Sequence, residues 1–266
     1  MSLKEHRAVG ILGAGRAGTA LARALERAGI PVSIASTRSP TAMRFHLAQY
    51  APQATAVPAA HIAQGACGGT ALVVLMVPQE ELDSVDPSWL AGALLVDATN
   101  RWEDEPLPEW FEQSLAAGLS SSEAVASRFP DSTVVKTLNH ISHWDLDGGG
   151  QRVRPRLQPV SGASSPLPGA ALPRADHSAP GSAARGTAAV PHQRRALGIA
   201  SDDGPAASSV AHLIEVLGFD PVVLSSLSAG RVLEPEGPVF NRSWTAAELT
   251  DLLQEHLDHS ATASDC

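Results

Sequence analysis

Short apolar runs alternate with longer stretches in which apolar positions recur every three or four residues, and this alternation persists over the first 145 residues. Ala8 to Leu12, Val32 to Ser36, Ala54 to Val57, Ala71 to Val77, Ala93 to Asp97 and Thr133 to Thr137 read as strands buried on both faces. After the first of them, Ala17, Ala20, Leu21, Ala24, Leu25 and Ala28 fall at helical spacing in a segment that starts at Arg16 and is stopped by Gly29. Strands separated by helices predict an α/β fold with a doubly wound parallel sheet and right-handed crossovers, which binds ligands outside the carboxyl ends of its strands. Three polar segments are expected to converge there: Val77-Pro78-Gln79, Asp97-Ala98-Thr99-Asn100 and Lys136-Thr137-Leu138-Asn139-His140.

The turn between the first strand and its helix carries the first chemistry. Gly13-Ala14-Gly15-Arg16-Ala17-Gly18 has the spacing of a Rossmann-type dinucleotide fingerprint. Gly13 permits a tight turn, Gly15 lets backbone approach a pyrophosphate seated on the helix N-terminus, and Gly18 lets helix and strand pack closely. A nucleotide site that reads NAD usually places an acid at the end of the second strand, for the ribose 2′-hydroxyl. Here the chain runs Ser36-Thr37-Arg38-Ser39, two hydroxyls and a guanidinium suited to a 2′-phosphate, so NADP(H) is favoured over NAD. The plainer alternative is that Arg38 is a solvated loop residue.

Composition narrows the class of partner. With 266 residues and 44% apolar content the chain can bury a sizeable core. A formal charge of -9 argues against nucleic acid or an anionic membrane as the main partner and leaves a small-molecule substrate. The longest apolar run, Ala71 to Pro78, is too short to cross a bilayer, and residues 1–7 do not resemble an export signal. The two cysteines, Cys67 and Cys266, have no metal or disulfide spacing, so a cytoplasmic location is expected, with Cys67 a small buried residue.

GAGRAGTALARAL, the strand ending in Ser-Thr-Arg, LVVLMVP, LLVDATN and VVKTLN follow one another in an order and spacing that resemble the NADPH-dependent coenzyme F420 reductase family. The resemblance covers about the first 145 residues and resumes over 196–243, which is similar to the tail of actinobacterial-type members. It implies hydride exchange between NADPH and a deazaflavin, two flat rings stacked face to face. The cofactors would carry the reactivity and the protein would supply position, with no catalytic dyad required. It further implies that Ala14, Gly15, Arg16 and Ala17 line the pyrophosphate, Thr37 and Arg38 the 2′-phosphate, and Val77 and Pro78 the nicotinamide side. Asn100 and Asn139 are positioning candidates, with a plain turn-forming role as the alternative. Two departures stand out: Arg101 replaces the usual proline after Asn100, and Pro40-Thr41-Ala42 replaces a basic residue that often assists the phosphate.

Lys136, one of only two lysines, is a third positioning candidate because it ends a strand at the ligand edge, and the alternative is a side chain reaching solvent past its apolar stem. Asp97 reads as an acceptor that ties down its own loop. His140 and His143 are three apart but lack a third ligand, so no metal is expected; His256 and His259 read as a solvated helix end. From Gly148 to Arg195 the periodicity disappears, with seven arginines, no lysine and Asp176 as the only acid. That stretch reads as a disordered or inserted loop of about forty residues, or as a frame slip. An arginine-rich lid over an anionic cofactor tail is a weaker reading. Ala196 to Ala200, a helix from Asp203 to Leu217, Pro221 to Leu224 and a helix from Thr245 to about Leu257 then follow. The division is therefore 1–147 as an NADP-binding domain, 148–195 as the loop and 196–266 as an α/β extension that completes the core or forms a homodimer face. Two other functions stay open: a different NADP-dependent reductase of a small carbonyl, imine or metal substrate, and a non-catalytic NADPH-binding protein.

Overall fold

The structure is a computed structural model that describes residues 8–64, 71–102, 106–148 and 194–263, with side chains to 256. Cys67 and Cys266, the bulk of the 148–195 stretch and the side chain of His259 lie outside the described residues.

Six parallel strands form one sheet: β1 (Val9–Leu12), β2 (Val32–Ala35), β3 (Thr55–Ala56), β4 (Leu72–Leu75), β5 (Leu94–Asp97) and β6 (Thr133–Lys136). Their spatial order is β3-β2-β1-β4-β5-β6, with Val9 opposite both Val32 and Leu72. This is a Rossmann fold, and the strand order reverses between β1 and β4, where a crevice opens at the carboxyl ends. The strands read as unbroken apolar runs because both faces are covered. Val9, Ile11, Val74 and Val96 face one core with α1 (Arg16–Arg27), α2 (Pro40–Tyr50) and α6 (Gly204–Val216). Leu12, Val73, Leu75 and Leu95 face the other, with α3 (Glu109–Ala116) and α4 (Ser121–Arg128). β3 is shorter than the 54–57 segment expected, with Thr55 exposed and Pro58 close behind it.

β7 (Ala196–Ile199) and β8 (Asp220–Val223) pair in parallel around α6, apart from the main sheet. An antiparallel bridge joins them to it: Lys136 N donates to Ala200 O at 2.8 Å and Ala200 N to Lys136 O at 2.9 Å. Leu197, Ile199, Val210 and Leu213 enter the same core as β1 and α1. α6 starts where its sequence signals place it, with the Asp203 side chain accepting from Ala206 N and Pro205 in the first turn. The last helix, α7 (Ala246–Ala263), opens on reciprocal bonds between Thr245 and Glu248 and runs past the end expected near Leu257. α5 (His143–Gly148) packs on α1, tied by Asp147 to Arg23 and Arg27.

Candidate functional site

The crevice at the sheet's switch point is a cleft of about 660 Å³, within the range of small-molecule sites. Its floor is the glycine turn. Gly13 has φ +130°, and a Cβ there would lie 2.3 Å from Met76 O; at Gly18 a Cβ would lie 1.9 Å from Gly13 O. These two glycines are demanded by the protein's own packing. Gly15 is different, because a Cβ there meets nothing within 4 Å and would project into open space. α2, α4 and α6 are each capped by a side chain, from Ser39, Ser120 and Asp203, whereas the N-cap of α1 is Gly15 and makes no side-chain bond. No acid stands in the first turn of α1. Its leading amides thus have no anion from the helix's own cap or first turn, and the helix dipole adds to their pull on one. A second cavity of about 690 Å³, whose lining includes Val222, Leu224, Leu253, Ser226, Arg231 and Thr250, is comparable in size but lies by β8 and α7, away from the glycine turn.

Gly13, Ala14, Gly15, Arg16 and Ala17 line the cleft, Gly18 packs beneath it, and Ser36, Thr37 and Arg38 form one end. The Ser36 hydroxyl accepts from Arg38 N at 3.1 Å and the Arg38 side chain is exposed. His46 on α2, which the sequence reading missed, reaches back so that Nε2 donates to Ala14 O at 2.9 Å and pins the glycine turn. Only its position on a helix was readable; its partner lies 32 residues away. The other end of the cleft is walled by Met76, Val77 and Pro78 on one side and by Ala98, Thr99 and Asn100 on the other. Glu80, Glu81, Trp102 and His143 also reach it, none of them anticipated as lining residues. The signal for Glu80 and Glu81 was their place directly after Val77-Pro78-Gln79. Trp102 stands edge-on to Phe240 at 5.9 Å, a contact no local pattern announces.

The third converging segment does not reach the cleft. Lys136 neither points at a ligand nor escapes to solvent: it is fully buried, with Nζ 3.1 Å from Asp97 Oδ2 and 2.8 Å from Thr99 O. Asp97 also accepts from the Thr99 amide and hydroxyl and from Ser122, at 3.0, 2.7 and 2.5 Å. Burial alone would raise the Asp97 carboxyl, but Lys136, Ser122 and Thr99 together hold it below the usual range. Asn139 is likewise buried behind the wall. Its Nδ2 donates to Asn100 Oδ1 at 3.1 Å and to Leu233 O at 2.7 Å, while Asn100 Nδ2 donates to Asn139 O at 2.9 Å. The neighbouring Leu138 has φ +64°, a strained conformation for a leucine, held where the chain turns to present Asn139. His140 does not share a helical face with His143. It is buried, its Nε2 accepting from Gly198 N at 3.1 Å and its Nδ1 donating to Asn139 Oδ1 at 3.2 Å. Burial, reinforced by Arg195 and Lys136, pushes its pKa down to about 3, so the ring is neutral. No cluster of metal-ligating side chains occurs among the described residues, and no helix among them is long and apolar enough to cross a membrane.

Residues 8–101 match the family described as NADP oxidoreductase, coenzyme F420-dependent. A 151-residue stretch is 36% identical to the rat (Rattus norvegicus) metalloreductase STEAP3 and takes in 55% of this chain. The chain spans only 27% of that relative's length. Among solved structures, a hypothetical protein from Sinorhizobium meliloti aligns with a TM-score of 0.64 at 23% identity, over 91% of this chain and 97% of its own. A candidate F420-dependent NADP-reductase from Arthrobacter sp. FB24 aligns with a TM-score of 0.53 at 22% identity, over 84% and 86%. At these identities the structural likeness speaks for the fold. Over residues 8–101 the chain is therefore similar to the family of coenzyme F420-dependent NADP oxidoreductases.

Proposed function

We propose that the chain is an NADPH:deazaflavin oxidoreductase that binds NADP(H) in the glycine-floored cleft and exchanges a hydride with coenzyme F420. The observation that carries this reading is the pairing of an uncapped α1 N-terminus over an open Gly15 with a β2 end that bears Ser36, Thr37 and Arg38 and no acid. Residues 13–17 hold the pyrophosphate through main-chain amides, and Ser36, Thr37 and Arg38 take the 2′-phosphate. Val77 and Pro78 face one side of the nicotinamide and Asn100 offers its remaining amide hydrogen to the other. When bound, NADPH supplies the hydride. What the protein adds is alignment and the exclusion of water, a division of labour that calls for no proton transfer from Glu80, Glu81 or His143 at the cleft.

The reading extends to residues 1–147 as the nucleotide-binding domain, a cytoplasmic site of action and a homodimer formed through the 196–266 extension. Mixing NADPH with the deazaflavin and following the deazaflavin absorbance tests the reaction: loss of the oxidised band is expected, and no change in either direction overturns it. The 36% identity to a metalloreductase favours a second reading, an NADPH-dependent reductase with a metal acceptor. Turnover with a ferric chelate and none with the deazaflavin would select it, while saturable NADPH binding with no transfer to either would mark a non-catalytic binding protein.

A further inference from the structure

Gln79 follows Pro78 at the end of the β4 wall and is 1% exposed, an unusual place for a side-chain amide. Its Nε2 donates to Thr99 Oγ1 at 2.8 Å, across the cleft's two walls. The direction of that bond is fixed. Thr99 spends its hydroxyl hydrogen on Asp97 Oδ1 at 2.7 Å, so its oxygen can only accept from Gln79. Asp97 in turn is held by Lys136 and Ser122, and Thr99 O by Lys136. A chain of buried bonds therefore anchors the tie to the sheet. The other atom of the amide, Gln79 Oε1, is buried and finds no partner among the described residues. A residue selected for stability alone would be apolar here, because a buried acceptor without a partner is costly.

We propose that Gln79 is a positioning residue that ties the Val77–Pro78 wall to the Ala98–Asn100 wall and so sets the width of the slot for the nicotinamide ring. The proposal rests on the nucleotide reading above and adds to it the residue that holds the ring still. The polyphosphate grips lie at the glycine turn and at Arg38, so loosening the slot leaves affinity nearly intact while freeing the ring. Reaction rates are sensitive to small misplacements of this kind.

The test compares the full chain with Gln79→Met, which keeps the volume, and Gln79→Asn, which keeps the amide but is too short to span the gap. Thermal unfolding without ligand, NADPH titration by fluorescence, and the anisotropy of the bound dihydronicotinamide are measured for each. Expected are a Tm within about 2 °C of the parent for Gln79→Met, and, in both variants, an NADPH Kd within about threefold and a clear fall in ring anisotropy, with hydride transfer slowed by about tenfold or more. Unchanged anisotropy in both variants overturns the clamp. So does a parallel fall in Tm and affinity, or failure to fold, since either makes Gln79 a structural residue. A parent chain that binds no NADPH overturns the nucleotide reading and the clamp together, and is thereby distinguished from failure of the clamp alone.

Discussion

Lys136 and Asp97 form an ion pair of 3.1 Å in which both side chains are fully buried, at the ends of adjacent parallel strands. Such a pair need not stabilise the fold relative to two apolar residues, but removing one partner strands the other's charge in the interior. Lys136→Met is expected to cost about 3–5 kcal/mol in urea unfolding, with much of the loss recovered when Asp97→Asn is added. Additive losses in the double variant would contradict the coupling. The Asp97 carboxyl is held below its ordinary 3.8, so the pair's contribution is present above that value and is lost as the pH falls through the lowered one.

His140 gives a second pH dependence. Its folded pKa of about 3 lies below the ordinary 6.5, so the native state excludes a proton that the unfolded chain accepts. The fold should therefore lose stability from about pH 6.5 downward, by up to roughly 1.4 kcal/mol per pH unit from this group. Chemical unfolding between pH 5 and 7.5 measures the slope. His140→Gln, which can still meet Gly198 N, should flatten it; an identical slope in that variant removes His140 as the cause.

Two glycines of the same turn should respond in opposite ways to the same substitution. Gly18→Ala puts a methyl 1.9 Å from Gly13 O, so β1 and α1 must separate and the folded yield should collapse. At Gly15 the backbone has φ −80° and the added methyl meets only open space. Gly15→Ala should keep Tm within about 2 °C while weakening NADPH binding by about tenfold or more. Equal effects on fold and binding at both positions would contradict these separate roles.

Arg38 tests the choice of nucleotide. A charge-assisted bond to a phosphate is worth roughly 1.5–3 kcal/mol, so Arg38→Ala should weaken NADPH by about 10- to 100-fold and barely change NADH. Isothermal titration with both nucleotides checks it, and an equal loss for the two would leave Arg38 a general surface cation.

What could be read from the chain was what is local along it. β1, the glycine turn and α1 lie within twenty residues, and each follows from its own spacing of apolar positions and glycines. The ends of α6 and α7 were signalled by Asp203 with Pro205 and by Thr245 with Glu248. Lys136 was misread because its environment is made by Asp97 and Thr99, nearly forty residues away on a neighbouring strand. Nothing local distinguishes a buried strand-end lysine from a solvated one. Asn139 and Gln79 share that limit, since the sequence marks them as loop residues but not which loop they are tied to. The separation of β7 and β8 from the main sheet was also unreadable, because period-two patterning identifies a strand without naming its partner.

The central claim is that the glycine turn and the Ser36–Arg38 segment together make an NADP(H) site, and fluorescence titration of the full chain with NADPH and with NADH tests it most directly. Saturable NADPH binding at least about tenfold tighter than NADH, lost in Gly15→Val, is the predicted result. Failure of both nucleotides to saturate, or NADPH binding unchanged by Gly15→Val, would contradict it.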